Sequence, residues 1–324
     1  MRFSPFLFGY LGLLCFTLLS CKRAPTTVTE NTEGPYVRVE GKTMGTYYRV
    51  QYQDSLGRDF KHELDALLVE MNDELSTYID SSTISRFNQA EESLEIGGAL
   101  ELIDANTLQQ SGPDTLKNTH FVRNLFRAQQ IYEKTKGSFD PTVMPLVNYW
   151  GFGYTAKKPV TAVDSLKVKE LQLLVGLNNI AYENGILYKS LPGVQLDFSA
   201  IAKGYAVDQL AAFLEDKGAV NYLVDIGGEM MAHGSSQRGG VWKIGINTPR
   251  EEADIEDYEV IVDLDNQALA TSGNYRNFYD FEGRKYAHTI NPKTGFPELS
   301  TLLSASVFAP DCATADAYAT SFMV

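Results

Sequence analysis

The most informative segment of the chain reads Gln195-Leu196-Asp197-Phe198-Ser199-Ala200-Ile201-Ala202-Lys203-Gly204-Tyr205-Ala206-Val207-Asp208. It places two acids, a lysine and a glycine at an apparent strand-to-helix junction. Small residues and one cation at a helix N-terminus can bind a phosphate group, because the first backbone N–H groups have no partner within the helix. The segment therefore predicts a ligand site at a strand-to-helix junction.

Two further glycine-containing segments have the same character. They are Gly227-Gly228-Glu229 and Ser272-Gly273-Asn274-Tyr275-Arg276, and each follows a predicted strand. Glycine allows a backbone to come close to a ligand because it has no Cβ atom. Three such segments in one chain predict a single binding site built from several elements.

The hydrophobic pattern indicates the fold class. Apolar residues recur at helical spacing in segments that begin near Phe60, Asn118 and Gly204, and the second and third segments end at Gly137 and Gly218. Five segments predict strands: Tyr47 to Tyr52, Asn221 to Ile226, Val241 to Ile246, Glu259 to Leu264 and Leu302 to Phe308. Strands and helices do not alternate regularly and no internal repeat is visible. We therefore predict one α+β catalytic domain, with a largely antiparallel or mixed sheet flanked by helices, rather than a doubly wound fold.

Length and charge restrict the function. The chain has 324 residues, of which 44% are hydrophobic, so it can bury a core of its own. Its formal net charge is -13. A nucleic-acid backbone is bound by clustered Lys and Arg, which this sequence lacks, and we therefore expect no nucleic-acid partner. A phosphorylated ligand would need a metal ion or a few well-placed cations.

The first twenty residues have the order of a secretory signal, with Arg2, an apolar run and then Leu18-Leu19-Ser20-Cys21. The last four resemble a bacterial lipobox, which implies cleavage before Cys21 and lipid on its sulfur. The alternatives are an uncleaved anchor and a chance apolar start, but the run is short for a spanning helix. We expect a signal peptide at 1–20, a flexible tether at 21–35, and a folded domain at 36–324. The protein would then be an exported lipoprotein of the bacterial cell membrane, on its periplasmic face.

Two sites have residue types suited to catalysis. Asp316 and Thr320 are four residues apart, so in a helix both oxygens would lie on one face, where they could bind Mg²⁺. His288 precedes a Pro-Lys-Thr-Gly turn and could accept a proton from a hydroxyl group. A solvated aspartate, a threonine bonded within its own helix and a histidine without a catalytic role are equally open on spacing alone.

A third region combines aromatic residues with glycines between Gly137 and Gly153. It contains Ser138, Phe139 and Asp140, and could form a slot for a flat ring or simply be core beneath a long loop. Met44 and Tyr78 have the same ambiguity.

Taken together, these segments resemble the ApbE family, the FAD:protein FMN transferases. The resemblance covers nearly all of the chain after the tether and rests on Thr43 to Thr46, Ser76 to Tyr78, Ser85 to Asn88, Phe139 to Thr142, Trp150 to Gly153, Asp197 to Asp208, Ile226 to Glu229, Thr271 to Arg276, His288 to Gly295 and Ala315 to Thr320. It implies a Mg²⁺-dependent enzyme that splits the pyrophosphate of FAD, transfers FMN to a Thr or Ser hydroxyl of an acceptor protein and releases AMP. The implied acceptors are subunits of membrane redox complexes, the Na⁺-pumping quinone reductase and the Rnf-type complexes.

The resemblance also implies residue roles. Asp316 and Thr320, with the main-chain oxygens of Ala200 and Ala319, would bind the metal, and His288 would be the general base. The positions that match FAD contacts are Met44, Tyr78, Ser138, Phe139, Asp140, Asp197, Lys203 and Ile290, with Ser272 and Arg276 as further candidates.

The sequence departs from the family pattern in two places. Asn291 stands where the family usually has Asp, which removes a charge near the proposed base. The chain stops at Val324, where relatives continue with a further strand or two, so we expect the sequence to be truncated there. A missing segment would leave a sheet edge exposed.

Three other functions remain open from the sequence. A Mg²⁺-dependent FAD pyrophosphatase would use the same site, with water in place of the acceptor hydroxyl. A flavin-binding lipoprotein without turnover would store or deliver FAD. A purely structural surface lipoprotein fits the tether and the acidity, but not the glycine-containing polar segments.

Overall fold

The computed structural model describes residues 34–96, 119–154, 163–250, 252, 254, 257–275, 278–281, 284–298 and 301–324. Cys21 and Arg276, both named above, lie outside these ranges, as does the predicted signal peptide. The described helices are α1 (Lys61–Leu75), α2 (Thr83–Gln89), α3 (Thr119–Lys134), α4 (Met144–Tyr149), α5 (Ser165–Gln172), α6 (Ala202–Asp216) and α7 (Cys312–Phe322). A short 3₁₀ turn covers Leu177–Asn179.

The described strands form one large sheet and three small ones. They are β1 (Tyr36–Thr43), β2 (Thr46–Gln53), β3 (Ser93–Glu95), β4 (Ile180–Glu183), β5 (Ile186–Lys189), β6 (Tyr222–Ile226), β7 (Glu229–His233), β8 (Trp242–Asn247), β9 (Tyr258–Leu264), β10 (Gln267–Gly273), β11 (Phe278–Phe281), β12 (Arg284–Ala287) and β13 (Ser304–Ala309). The large sheet has the order β1-β2-β6-β7-β10-β13 and every neighbouring pair is antiparallel. The predicted α+β class with a largely antiparallel sheet is confirmed.

The main core lies between this sheet and the helices. In α1 the buried residues Leu64, Leu68, Met71 and Leu75 recur at helical spacing. They face the same core as alternate residues of β2 and β6, which are Tyr48, Val50, Tyr52, Tyr222, Val224 and Ile226. A second cluster around Trp242 and Leu264 brings the β8–β9 ribbon against residues of β7 and β10. None of the described helices is both long and apolar enough to cross a membrane.

The predicted strand before α6 was wrong. Gln195 to Phe198 is extended but belongs to no strand, because its backbone groups bind a side chain and a loop instead of a neighbouring strand. The Asn88 amide donates from Nδ2 to the Leu196 carbonyl at 2.8 Å and accepts the Leu196 N–H at 2.7 Å. The Asp197 N–H donates to the Pro141 carbonyl at 2.7 Å. The segment thus enters α6 from a loop that is anchored on both sides.

Helices α6 and α7 pack closely through Gly204. A Cβ atom at this position would lie 2.6 Å from the carbonyl carbon of Cys312, so only glycine allows this contact. One helical turn further on, Asp208 accepts the N–H groups of Cys312 at 2.7 Å and Ala313 at 2.9 Å. Asp311 caps the next N–H group, that of Thr314, at 2.9 Å. Two carboxylates therefore bind the first three N–H groups of α7, and one of them, Asp208, joins the two helices.

One end of the large sheet collects the segments singled out in the sequence. The β1–β2 turn at Met44 and Gly45 and the β6–β7 turn at Gly227 and Gly228 both lie there, because β2 pairs with β6. The end of β10 lies at the same end of the sheet, since β10 runs antiparallel to β7, with Leu269 opposite Met230. The first turn of α6 joins this end through the ion pair of its Lys203 with Glu229 at the start of β7.

Replacing Asp208 by Ala should destabilise the protein. The change leaves the N–H groups of Cys312 and Ala313 without their acceptors at a mostly buried helix end, and we expect a loss of about 1–3 kcal/mol in the free energy of unfolding. Urea denaturation measures it. Asp216→Ala, which removes an exposed carboxylate at the other end of α6, should change the stability by less than about 0.5 kcal/mol. Equal effects of the two changes would contradict this account of the helix contact.

The same carboxylate should give a pH dependence. Burial raises the pKa of Asp208 from 3.8 to about 7, although the N–H groups of Ala313 and Cys312 lower it. Because the folded pKa is higher than the unfolded one, the contribution to stability is complete below about pH 4 and is lost as the pH rises through about 7. The stability of the wild type relative to Asp208→Asn should therefore fall between these values and stay constant above them. A difference that does not vary between pH 4 and 8 would refute this pKa.

Candidate active site

The centre of the site is a buried group of charges, called here the Lys203 cluster, which consists of Lys203, Glu229 and Asp316. The ammonium of Lys203 lies 2.6 Å from Oε1 of Glu229. Oδ2 of Asp316 accepts the backbone N–H of Gly204, the next residue, at 3.1 Å. Glu229 is 4% exposed and Asp316 is 3% exposed. Two carboxylates from β7 and α7 are therefore fixed to consecutive residues in the first turn of α6.

Burial and charge act in opposite directions in this cluster. Burial raises the pKa of Asp316 and of Glu229, while the Lys203 ammonium lowers both. Burial alone would lower the pKa of Lys203, but the carboxylates of Glu229 and Asp316 outweigh it and the net shift is upward. Lys203 is thus held as an ammonium ion between two acids.

Oxygen atoms of the end of α7 lie beside this cluster. Thr320 is one turn after Asp316, and its hydroxyl is 3.1 Å from the hydroxyl of Ser272 at the end of β10. Ala319 is fully buried, and Ala200 is partly buried in the loop that precedes α6. The predicted helix for Asp316 and Thr320 is confirmed. Their proximity to the first turn of α6 and to β10 is new information from the structure.

The chemistry of these groups fits Mg²⁺. A carboxylate, a hydroxyl and main-chain carbonyls are hard oxygen donors, which this ion prefers. In the described part of the chain, no group of three or more His, Cys, Asp or Glu side chains could hold a metal, so a cation here would depend on backbone and hydroxyl oxygens as well. Glu229 and Asp316 give the cluster one more carboxylate than ammonium, and Oε2 of Glu229 is buried without a hydrogen-bond partner among the described residues. The assignment of Ala200, Asp316, Ala319 and Thr320 as metal ligands stays a prediction.

A second group of predicted site residues surrounds Asp197, five residues before α6. Oδ1 of Asp197 accepts the N–H and the hydroxyl of Ser199, at 2.8 and 2.5 Å. Burial raises the pKa of Asp197, and these two bonds lower it. Partial desolvation and then the Asp197 carboxylate raise the pKa of Tyr78, whose side chain is 74% exposed. An exposed ring beside a carboxylate is available to a ligand.

The loop after α3 contributes the next residues. Asp140 is buried and accepts the N–H and hydroxyl of Thr142, at 2.8 and 2.5 Å. Burial raises the pKa of Asp140 to about 6, while these bonds lower it. The Thr142 hydroxyl also accepts the N–H of Gly176 at 2.6 Å, so Asp140 is part of a chain of bonds that fixes the loop. Phe139 is buried in the main core, and Ser138 is partly exposed.

The loop around His288 lies against this region. The Ser138 hydroxyl is 3.4 Å from the ammonium of Lys293, which follows His288 by five residues. His288 comes directly after β12 and meets the ring of Phe152 edge-on, with ring centroids 6.4 Å apart. Ile290 is buried in a third cluster with Trp150, whose indole N–H donates to the Gly295 carbonyl at 2.8 Å. Aromatic packing therefore positions the proposed base.

Asn291, where the sequence departs from the family pattern, uses both ends of its amide. Oδ1 accepts the N–H of Lys293 at 2.9 Å, which makes the turn, and Nδ2 donates to Glu298 at 3.1 Å. Aspartate could make only the first of these bonds and would repel Glu298. The turn of this chain is thus built for an amide.

Met44 occupies the first position of the β1–β2 turn with a φ of 47°, and Gly45 follows with 73°. Two positive φ values in a two-residue hairpin loop are typical of a type I′ turn. The side chain of Met44 packs against the main core. The turn therefore lies at the same end of the sheet as the Lys203 cluster.

Glu229 was not predicted to be a site residue, although it belongs to the Gly227-Gly228-Glu229 motif. The sequence signal for Glu229 is its position directly after two glycines, at the start of an apolar strand. A glutamate that simply faces solvent would not need such a turn. Ser272 was named as a weaker candidate, and the structure brings it to Thr320. Arg276 lies in a part of the chain that the structure does not describe.

Comparison with known proteins identifies the family. The model of the ApbE family matches residues 44–324. The FAD:protein FMN transferase of Haemophilus influenzae is 36% identical over 301 residues, which are 90% of this chain and 81% of the relative. The FAD:protein FMN transferase of Vibrio cholerae is 35% identical, with 89% and 81% covered.

Solved structures are similar as well. The flavin transferase ApbE from Vibrio cholerae has a TM-score of 0.72 and 33% identity, with 90% of this chain and 87% of that chain covered. The apo form of the flavinyl transferase ApbE from Pseudomonas stutzeri has a TM-score of 0.74 and 31% identity, with 90% and 84% covered. This protein therefore belongs to the ApbE family and is an enzyme of the transferase class.

Proposed function

We propose that this protein is an FAD:protein FMN transferase that moves the FMN half of FAD to a Thr or Ser hydroxyl of an acceptor protein and releases AMP. The observation that carries the proposal is the Lys203 cluster at the N-terminus of α6. It combines one ammonium ion and two buried carboxylates next to hydroxyl groups, within a fold shared with flavin transferases. A diphosphate is a suitable ligand for such a site once a cation balances the acids.

The reaction needs few groups from the protein. The acceptor oxygen attacks the phosphorus of the FMN half, the bond from that phosphorus to the bridging oxygen breaks, and AMP leaves with that oxygen. His288 would accept the proton of the acceptor hydroxyl. Asp316, Thr320 and the carbonyl oxygens of Ala200 and Ala319 would hold Mg²⁺. When bound, Mg²⁺ would neutralise charge on the diphosphate, which is the main requirement of phosphoryl transfer.

The remaining groups would bind and orient FAD. Lys203 would approach the diphosphate, while Asp197 and Asp140 would accept hydrogen bonds from ring or ribose groups. Met44, Tyr78, Ser138, Phe139 and Ile290 would form the rest of the flavin pocket, with Ser272 and Arg276 at its edge.

The cellular setting is part of the same proposal. Lipid on Cys21 would hold the enzyme on the periplasmic face of the bacterial cell membrane, with residues 21–35 as its tether. The acceptor would be a subunit of a Na⁺-pumping quinone reductase or an Rnf-type complex, as the family resemblance implies.

Replacing Asp316 by Ala should abolish transfer, because the metal site loses its only proposed carboxylate ligand. The assay mixes the protein with FAD, Mg²⁺ and an acceptor domain. It measures flavin fluorescence on the acceptor in a denaturing gel, and AMP by chromatography. Asp73→Ala, a change of an exposed carboxylate on α1, should leave both signals unchanged. Full transfer by Asp316→Ala would rule out this metal site. If the wild type released free FMN without labelling the acceptor, the enzyme would be a pyrophosphatase.

Replacing His288 by Ala should slow transfer by about 100-fold or more, the typical contribution of a general base. The affinity for FAD, measured by fluorescence titration, should stay within about twofold, because the proposed role of His288 is toward the acceptor hydroxyl. His62→Ala, an exposed histidine on α1, is the matched control. A variant at His288 that keeps the wild-type rate would require another base.

A further inference from the structure

Glu229 is held in place by the turn that precedes it. Gly227 and Gly228 have φ values of 61° and 106°, and a Cβ atom on Gly227 would lie 2.7 Å from the side chain of Thr46 on β2. This turn therefore accepts only glycine at its first position and presents Glu229 in one orientation at the start of β7. Its Oε1 binds Lys203, while its Oε2 is buried without a hydrogen-bond partner in the described part of the chain.

The charges of the cluster do not balance. Lys203 and Gly204 are consecutive, and they bind Glu229 and Asp316 respectively, so one ammonium ion lies between two carboxylates. Negative charge that is removed from water and not neutralised is costly. An added cation would offset this cost, and the excess acid therefore favours cation binding.

The ion pair also decides where the ammonium points. Lys203 is bound to Glu229 at 2.6 Å, and Asp316 takes its hydrogen bond from the backbone of Gly204 instead. If Glu229 lost its charge, Asp316 would be the nearest remaining carboxylate of the cluster for Lys203. The ammonium would then compete with a metal ion for the same oxygens.

We propose, on the basis of the proposed function, that Glu229 is a positioning residue which keeps the Lys203 ammonium away from Asp316 and so leaves that carboxylate free for the metal ion. Glu229 does not bind the metal itself. Its charge adds to the excess acid of the cluster, but its main effect on cation affinity passes through Lys203, and this distinguishes it from a simple ligand.

The test is equilibrium binding of Mn²⁺ alone, measured by electron paramagnetic resonance of the free ion, with the full folded domain and no FAD. Glu229→Gln keeps the size of the side chain and removes its charge. It should weaken Mn²⁺ binding by about 10- to 100-fold, the usual effect of a residue that supports a metal ligand. Asp316→Ala should abolish Mn²⁺ binding and so identify the site, whereas Glu74→Gln, a partly buried glutamate outside the cluster, should leave the affinity unchanged.

The second measurement is a double-mutant cycle. Lys203→Gln should raise the Mn²⁺ affinity only slightly when Glu229 holds the ammonium away from Asp316, but should restore most of the lost affinity in the Glu229→Gln background, because no ammonium remains to occupy Asp316. Additive effects of the two substitutions, or unchanged binding in Glu229→Gln, would overturn the proposal. Thermal denaturation checks that each variant is folded.

The transferase activity is tested separately by labelling of the acceptor domain with wild-type protein. If the wild type labels the acceptor but the effects of Glu229→Gln and Lys203→Gln on Mn²⁺ affinity are additive, only the proposed role of Glu229 is wrong. A wild type that neither binds Mn²⁺ nor labels the acceptor removes both proposals.

Discussion

The close contact between α6 and α7 is the constraint on which the site depends. Gly204 allows the two helices to approach, and Asp208 binds the first N–H groups of α7 one turn later. The same glycine donates its N–H to Asp316. Packing and chemistry therefore share one contact, and a shift of α7 along α6 would separate Asp316 from Lys203. The contact between these two helices is what brings a carboxylate and an ammonium from distant parts of the chain into one cluster.

The site concentrates features that oppose stability. Asp316, Glu229 and Asp208 have raised pKa values because burial disfavours their charged forms. A core built only for stability would replace such a group with apolar residues, since buried ion pairs contribute little net free energy. Several buried carboxylates with raised pKa values, grouped at one place in the fold, are typical of a functional site. The apolar helix faces and the paired strands of the large sheet offset the cost.

Local sequence patterns predicted much of the fold but not its contacts. The helical spacing that begins near Phe60 predicted α1, and the spacing of Asp316 and Thr320 predicted a common helix face. The segment from Gln195 to Phe198 was expected to be the strand of a strand-to-helix junction, yet its hydrogen bonds go to the side chain of Asn88 and to the Pro141 carbonyl. Nothing in the local pattern reveals such a partner, since Asn88 lies in another helix far along the chain.

The same limit applies to the site. Single motifs identified Lys203 and Asp316 as candidates. The partner of Lys203 is Glu229, the first residue of β7, and their contact depends on how the β6–β7 hairpin packs in the fold. The roles of His288, Ser272 and the residues matched to FAD contacts stay predictions from the family pattern. Cys21 and Arg276 stay predictions as well.

Asn291 shows how a departure from the family pattern becomes consistent once its surroundings are known. From the sequence, the loss of an aspartate next to His288 suggested the loss of a negative charge. In the structure, a carboxylate is still present in the same turn, because Glu298 accepts a hydrogen bond from the Asn291 amide. An aspartate at 291 would place two carboxylates in contact, which costs free energy in a partly buried turn. The negative charge of this loop therefore lies on Glu298, and the amide at 291 is the residue that allows it to be there.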